Sequence, residues 1–181
     1  MPKYINSATK EQLNSLRGYN SKMAGETFES IINIACEYYE SENIAYIEKT
    51  PEAFRVTNKK QTSKGLIFEG VFTKKCQPDY KGTLCGGRAV CFEAKHTDSE
   101  EIKQNRLSEE QQRNLETHEQ LGAKSFVLIS IRMQSFYRVP WSTWKDMKNI
   151  YGRKYMNMTD LERYRVPYSN GTLQFLKRME W

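Results

Sequence analysis

The stretch over residues 78–95, PDYKGTLCGGRAVCFEAK, constrains the fold of this chain more than any other. Two short apolar runs flank Gly86-Gly87, a pair that accepts the positive φ angles of a tight hairpin turn. On the second strand, alternation puts Val90, Phe92 and Ala94 on one face and Cys91, Glu93 and Lys95 on the other. In the register the turn suggests, Asp79 comes from the neighbouring strand towards that second face. An aspartate, a glutamate and a lysine then converge at a sheet edge. Two carboxylates held this close repel unless a cation lies between them, and hard oxygen ligands suit Mg²⁺ or Mn²⁺. A lysine beside them can stabilise developing negative charge or orient a water. In outline this is a site for metal-dependent phosphodiester hydrolysis, with Asp79 and Glu93 as the metal ligands.

Acid-x-Lys triplets are common in a chain that is 28% charged, and Asp79-Tyr80-Lys81, Glu101-Ile102-Lys103 and Asp146-Met147-Lys148 are further examples. Most such triplets are solvated surface pairs that contribute little. Glu93-Ala94-Lys95 differs in having an apolar strand that leads into it and an aspartate one hairpin earlier.

The remaining composition bounds the function classes. A chain of 181 residues is expected to form one domain, and 38% hydrophobic content with 12% aromatics supplies a core. No apolar run approaches the ~18 residues of a membrane span, and the N-terminal stretch lacks a signal-peptide pattern, so a cytoplasmic protein with no membrane partner is expected. The cysteines Cys36, Cys76, Cys85 and Cys91 contain no Cys-x-x-Cys pair. Cys85, Cys91 and His96 fit no common zinc spacing, and buried free thiols are the expectation. A net charge of +6 favours a polyanionic partner. The charge is uneven: residues 55–75 carry Arg55, Lys59, Lys60, Lys64, Lys74 and Lys75 against the single acid Glu69. Nucleic acid is the leading partner class, with an ordinary solvated basic face as the plain alternative.

Along the chain, residues 1–20 read as a polar, partly mobile arm with at most one helical turn through Leu13 and Leu16. From Lys22 to about Ser41, Phe28, Ile31, Ile32, Ala35, Tyr38 and Tyr39 recur at helical spacing, and Glu29 sits beside that stripe as an early acid favoured by the helix dipole. A short strand over residues 44–47 follows. Residues 56–63 are polar and basic, a strand pattern resumes over 66–72, and the basic tip between two strands predicts a protruding hairpin-like arm. Ser108 and Gln111 form a capping box that starts a helix near Glu109 and ends it at Gly122. Strands are expected over 125–131 and 136–139, and a short helix from Trp141. The last thirty or so residues (151–181) mix Arg153, Lys154, Arg163 and Arg165 with tyrosines, which suits either nucleic acid or a tail that packs onto the domain.

The order of these pieces resembles the PD-(D/E)XK nuclease superfamily, here as Pro78-Asp79 and Glu93-Ala94-Lys95 after a helix that carries Glu29. More narrowly it resembles the RecU-type Holliday junction resolvases of Gram-positive bacteria and their phages. The supporting stretches are MAGETFESIIN (23–33), YIEKTP (46–51), PDYKG (78–82), FEAKHT (92–97), Gln111, Leu121-Gly122 and YRVPW (137–141), so the resemblance covers roughly residues 17–145. It implies an α/β, restriction-endonuclease-like fold with a mixed central sheet flanked by helices and a basic stalk at about 55–75. The nuclease domain would span 21–150. It further implies a homodimer with two active sites, a divalent metal, and branched DNA as substrate: a metal-dependent endonuclease that resolves four-way junctions in recombination and repair. Carried over, Asp79 and Glu93 bind metal, Lys95 assists the attacking water and Glu29 completes the site. Gln111 matches a glutamine that orients water or phosphate, although its capping box explains it without function. The chain departs from the family at Glu110, where a histidine is frequent, and at Cys76-Gln77, where hydroxyl residues are usual. A nuclease for linear or flapped DNA, or a non-catalytic DNA-binding recombination protein on the same fold, is the alternative.

Overall fold

The computed structural model describes residues 10–51, 54–63, 65–72 and 77–177; the side chains of 10–17, 21, 54, 55 and 72 lie outside that description. The helical spacing around Phe28 forms α1 (Lys10–Ser41), which buries Phe28, Ile32, Ala35, Cys36 and Tyr39 along one stripe. α1 begins at Lys10, not near Lys22, so residues 10–20 are helical where a polar arm was expected. No proline interrupts the segment, and Gly18 and Gly25 each cost only about 1 kcal/mol of helix propensity, so a helix nucleated over its buried half extends backwards.

The expected mixed sheet flanked by helices is present. β1 (Ala45–Lys49) pairs antiparallel with β4 (Tyr80–Leu84), and β4 pairs antiparallel with β5 (Ala89–Thr97). β5 runs parallel to β7 (Lys124–Ile131), and β7 continues antiparallel to β8 (Ser135–Pro140) and on to β10 (Arg165–Val166). The turn between β4 and β5 has φ of 90° at Gly86 and 87° at Gly87, the left-handed backbone that the glycine pair permits. Parallel strands need a crossover, and the chain supplies it between β5 and β7 with β6 (Glu101–Lys103), a 3₁₀ turn (Gln104–Arg106) and α2 (Glu109–Gln120). α2 stops as expected, with Gly122 in the left-handed region.

Both faces of the sheet are covered. On one, Val90, Phe92, Phe126, Leu128 and Phe136 pack against α1; on the other, Cys91, Val127, Ile129, Tyr137 and Val139 pack with Leu115 of α2 and with Trp141 and Trp144 of α3 (Trp141–Lys145). This double burial explains the unbroken apolar run of β7. Tyr80, Phe92 and Phe126 occupy one row across β4, β5 and β7, with ring centroids 4.8 and 4.7 Å apart and planes nearly parallel. The end of the described chain closes this core. Phe175 lies 5.2 Å from the Phe92 ring, and the Tyr39 hydroxyl donates to the Leu173 carbonyl (3.1 Å) and accepts from the Leu176 amide (3.0 Å).

β2 (Phe54–Thr62) and β3 (Gly65–Phe72) form an antiparallel hairpin separate from the main sheet. Residues 56–62, read as a polar connection, are therefore strand, and Lys59 and Lys60 stand within β2 opposite Phe68 and Ile67 rather than at a looped tip. The cause is cross-strand pairing with an apolar partner, which the polar composition of β2 conceals. Lys59 sits 5.7 Å above the Phe68 ring. Among the described residues nothing covers either face of the hairpin: Leu66 and Ile67 are each 50% exposed and Phe68 48%.

At one position the sheet leaves no room for a side chain. Gly82 faces Ile47 across β1 and β4, and a Cβ there would stand 2.0 Å from the Tyr46 carbonyl oxygen. Gly82→Ala is expected to destabilise the fold by about 1–3 kcal/mol, in the range of core overpacking. A urea midpoint equal to that of the parent would refute this close approach.

Candidate active site

The register that sets Tyr80 opposite Phe92 brings the residue before β4 alongside the residue after Phe92. β4 starts at Tyr80, so the backbone of β5 beyond Phe92 has no β4 residue to pair with. The Asp79 carboxylate takes that role, its Oδ2 accepting from the Ala94 amide at 3.1 Å. The Asp79 carbonyl in turn accepts from the Thr50 amide at 2.8 Å, which ties the loop to the end of β1. The acids thus converge in a notch inside the sheet, where β4 ends, and not at a sheet edge: β5 has β4 on one side and β7 on the other.

Glu93 is fully buried. Its Oε2 accepts from Lys95 Nζ at 3.0 Å and from the Gln111 side-chain amide, while its Oε1 has no hydrogen-bond partner among the described residues. Lys95 Nζ is also 3.6 Å from Asp79 Oδ2, so one ammonium serves both carboxylates. Burial, followed by the nearby Asp79, pushes the Glu93 carboxyl up to about 8, against the smaller opposing pull of Lys95. Gln111 has two attachments. Its Oε1 accepts from the Ser108 amide (3.1 Å) as the Ser108 hydroxyl accepts from the Gln111 amide (3.3 Å), completing the capping box. With its oxygen committed to the cap, the side-chain NH₂ is the end that faces Glu93. Capping and contact with the acid are therefore one arrangement.

Glu29 is placed differently. Its carboxylate pairs with Lys49 Nζ at 2.5 Å, and Lys49 lies opposite Tyr80 in the β1–β4 ladder. The Tyr80 hydroxyl reaches Asn33 Oδ1 at 3.0 Å, so the helix that carries Glu29 is fastened to the strand that follows Asp79. Sequence reasoning missed Lys49 and Thr50. Both stand in the YIEKTP stretch, but a lysine next to a threonine carries no signal until the register places it. Thr50 is buried, and its Oγ1 has no partner among the described residues.

Of the basic residues assigned to DNA, Lys59 and Lys60 lie on the uncovered hairpin and Arg55 contributes only described backbone. Lys64, Lys74 and Lys75 lie outside the described residues. Cys85, Cys91 and His96 are not brought together: Cys91 Sγ lies 3.3 Å from Ser125 Oγ, and His96 sits between Ser130 (3.2 Å) and Asp98 (3.3 Å). Cys36 and Cys91 are buried as expected, but Cys85 is exposed, because it falls in the hairpin turn; Cys76 lies outside the described residues. Among the described residues no helix is long and apolar enough to cross a membrane.

The notch fits a hard divalent cation. It offers two carboxylates, one with a buried oxygen that has no hydrogen-bond partner among the described residues. Among the described residues no third His, Cys, Asp or Glu joins them. That donor set suits Mg²⁺ or Mn²⁺, which keep waters and take substrate phosphate oxygens to complete their shells.

The family profile and the curated relatives point to one family. A Holliday junction resolvase RecU from Bacillus subtilis is 28% identical over 186 residues, covering 94% of this chain and 88% of that protein. A Holliday junction resolvase RecU from Streptococcus pneumoniae is 32% identical over 93 residues, covering 50% of this chain and 46% of that protein; this chain matches under half the length of that relative. A solved structure of Hjc, a Holliday junction resolvase from Archaeoglobus fulgidus, aligns with a TM-score of 0.42 and 13% identity over 66% of this chain and 75% of that one. The profile of the RecU family, described as Recombination protein U, matches residues 23–180. Spanning most of the sequence and the whole of the notch, that match means that the chain belongs to the RecU family.

Proposed function

We propose that the chain is a divalent-metal-dependent endonuclease that resolves four-way DNA junctions. The observation that carries this reading is the buried Glu93 carboxylate, held beside Asp79 and Lys95 with one oxygen that has no partner among the described residues. Membership of a family whose curated relatives are named Holliday junction resolvases supports the substrate. Asp79 and Glu93 hold Mg²⁺ or Mn²⁺, which supplies an activated water and charge stabilisation for phosphate. Asp79 is kept in place by the Ala94 and Thr50 amides, so its carboxylate needs no rearrangement to bind. Lys95 presents its ammonium to the reacting phosphate oxygens and assists the attacking water. Gln111, fixed by its cap, orients Glu93. Glu29 acts from the Lys49 side of the notch, where the pair meets the flanking phosphate or water. Two copies of the chain act as a homodimer, since symmetric cuts need two sites at fixed separation. A bacterial or phage-infected cytoplasm is the compartment that fits such a substrate.

Glu93→Gln removes a ligand while keeping the shape, and junction cleavage is expected to fall by orders of magnitude. Junction binding should survive or tighten because negative charge near phosphate is lost. The same variant has a second readout in EDTA. Between the ordinary carboxyl value of 4.5 and about 8, native Glu93 holds a proton that the unfolded chain has released. Native stability therefore falls as pH rises through that window, and Glu93→Gln should flatten the slope. Wild-type cleavage rates in the variant, or an unchanged slope, would move the site elsewhere.

Selection of a junction over duplex needs shape, since lysine–phosphate contacts favour any DNA. The β2–β3 hairpin is narrow and uncovered, and the open centre of a four-way junction admits it where a continuous duplex does not. Replacing its outer half by a short Gly-Ser turn should abolish junction cleavage, while weak duplex binding drops far less. A shortened protein that still prefers junctions over linear duplex and flap would place selectivity in the dimer's outline instead. Light scattering of the intact protein should report a dimer; a monomer that makes both cuts of a junction in concert would contradict the two-site arrangement.

A further inference from the structure

Between the active-site strand and the active-site helix the chain takes a detour that builds a second feature. β6 pairs antiparallel with β9 (Tyr155–Asn157), with Lys103 opposite Tyr155, and the Gln104 amide donates to the Lys154 carbonyl at 2.9 Å. The chain then passes through the 3₁₀ turn to Ser108 and returns to the notch at Gln111. Enclosed by this path is an open groove of about 530 Å³ whose walls include Lys103, Asn105, Gln112, Lys154 and Tyr155. Glu109 and Gln112 of its wall lie in the first turns of α2, the helix whose Gln111 side chain contacts Glu93.

The groove carries more positive than negative charge. Lys103 has 63% of its side chain exposed, with Glu101 at 3.7 Å as its partner, and Lys154 is exposed. Arg153 is fixed by the Tyr151 carbonyl and the Asp160 carboxylate and lies 4.8 Å over the Tyr155 ring, which holds that ring and the neighbouring Lys154 in position. Arg106 donates to the carbonyl of His96, the residue after Lys95, and so links the detour to β5. Glu109 is the acid in the groove's own lining, while Glu101 and Asp160 pair with Lys103 and Arg153 from beside it. Two exposed lysines, one of them paired only loosely with Glu101, beside an arginine–tyrosine stack suit a sugar–phosphate chain rather than an apolar peptide.

Resting on the junction-nuclease reading, we infer that this groove binds the backbone of the DNA strand that runs away from the scissile phosphate. Lys103 and Lys154 each meet one phosphate, and Tyr155 lies against the sugar between them. The segment that follows α4 (Met147–Tyr151) thus serves the substrate, in addition to any part it plays in the core.

The test uses the full-length protein in EDTA, so that binding is read without cleavage. The doubly substituted Lys103→Gln/Lys154→Gln protein is titrated with a four-way junction across a range of salt. Each phosphate contact contributes about 0.9 to the slope of log affinity against log salt, so the slope should shrink by about 2. Lys103→Arg/Lys154→Arg, which keeps both charges, should retain the parent slope. Neutral methylphosphonate linkages placed on one side of the cut should weaken the parent protein and leave the glutamine variant unaffected. An unchanged slope in the glutamine variant, or equal loss in both proteins with neutral linkages on either side, overturns the groove. Junction cleavage by the parent protein with Mg²⁺ tests the nuclease reading separately, so the two can fail independently.

Discussion

The chemistry of this fold depends on one cross-strand register: Tyr80 opposite Phe92, and Phe92 opposite Phe126. Because side chains alternate, a slip of one residue would turn Phe92 out of the α1 core and drive Glu93 into it. The three stacked rings make that slip costly, as burial of each is worth roughly 1.5–3 kcal/mol. The same row places Asp79 where β4 ends and lets its carboxylate cap the Ala94 amide. Aromatic packing on one face of the sheet thereby fixes the position of the acids on the other.

That placement has a cost. A carboxylate taken out of water beside another carboxylate opposes folding unless it is neutralised, and Glu93 responds by holding its proton to about pH 8. Lys95 offsets part of the penalty for both acids, and the Gln111 amide offsets more. One Glu93 oxygen remains without a hydrogen-bond partner among the described residues.

Much of this arrangement was readable from the sequence, and the limit is physical. The Gly86-Gly87 turn, the faces of β5 and the Ser108–Gln111 cap follow from local rules, and the structure places Asp79, Glu93, Lys95 and Gln111 together. Contacts made across long sequence separations were not readable. Lys49 meets Glu29 through the sheet, and Lys103 meets Lys154 and Tyr155 through a short ladder between segments some fifty residues apart. β2 is masked by polar side chains that borrow an apolar partner in β3, and the early part of α1 by a run in which only Leu13, Leu16 and Tyr19 break a polar stretch. Thr50, a buried residue, is bonded through its amide to the Asp79 carbonyl.

The closure of the core by Leu173, Phe175 and Leu176 has a consequence for how the molecule comes into being. Tyr39 and the Phe92–Phe126 stack find their last partners more than a hundred residues after Tyr39 and about fifty after Phe126. Domains assemble during synthesis only as far as the emerged chain allows, and contacts of such sequence separation form late. A ribosome-bound chain that already displays the notch still lacks the ring and the backbone groups that complete its support. The notch therefore gains its full support only once residues 173–176 have been made, and a chain cut short before Leu173 lacks the scaffold that holds it.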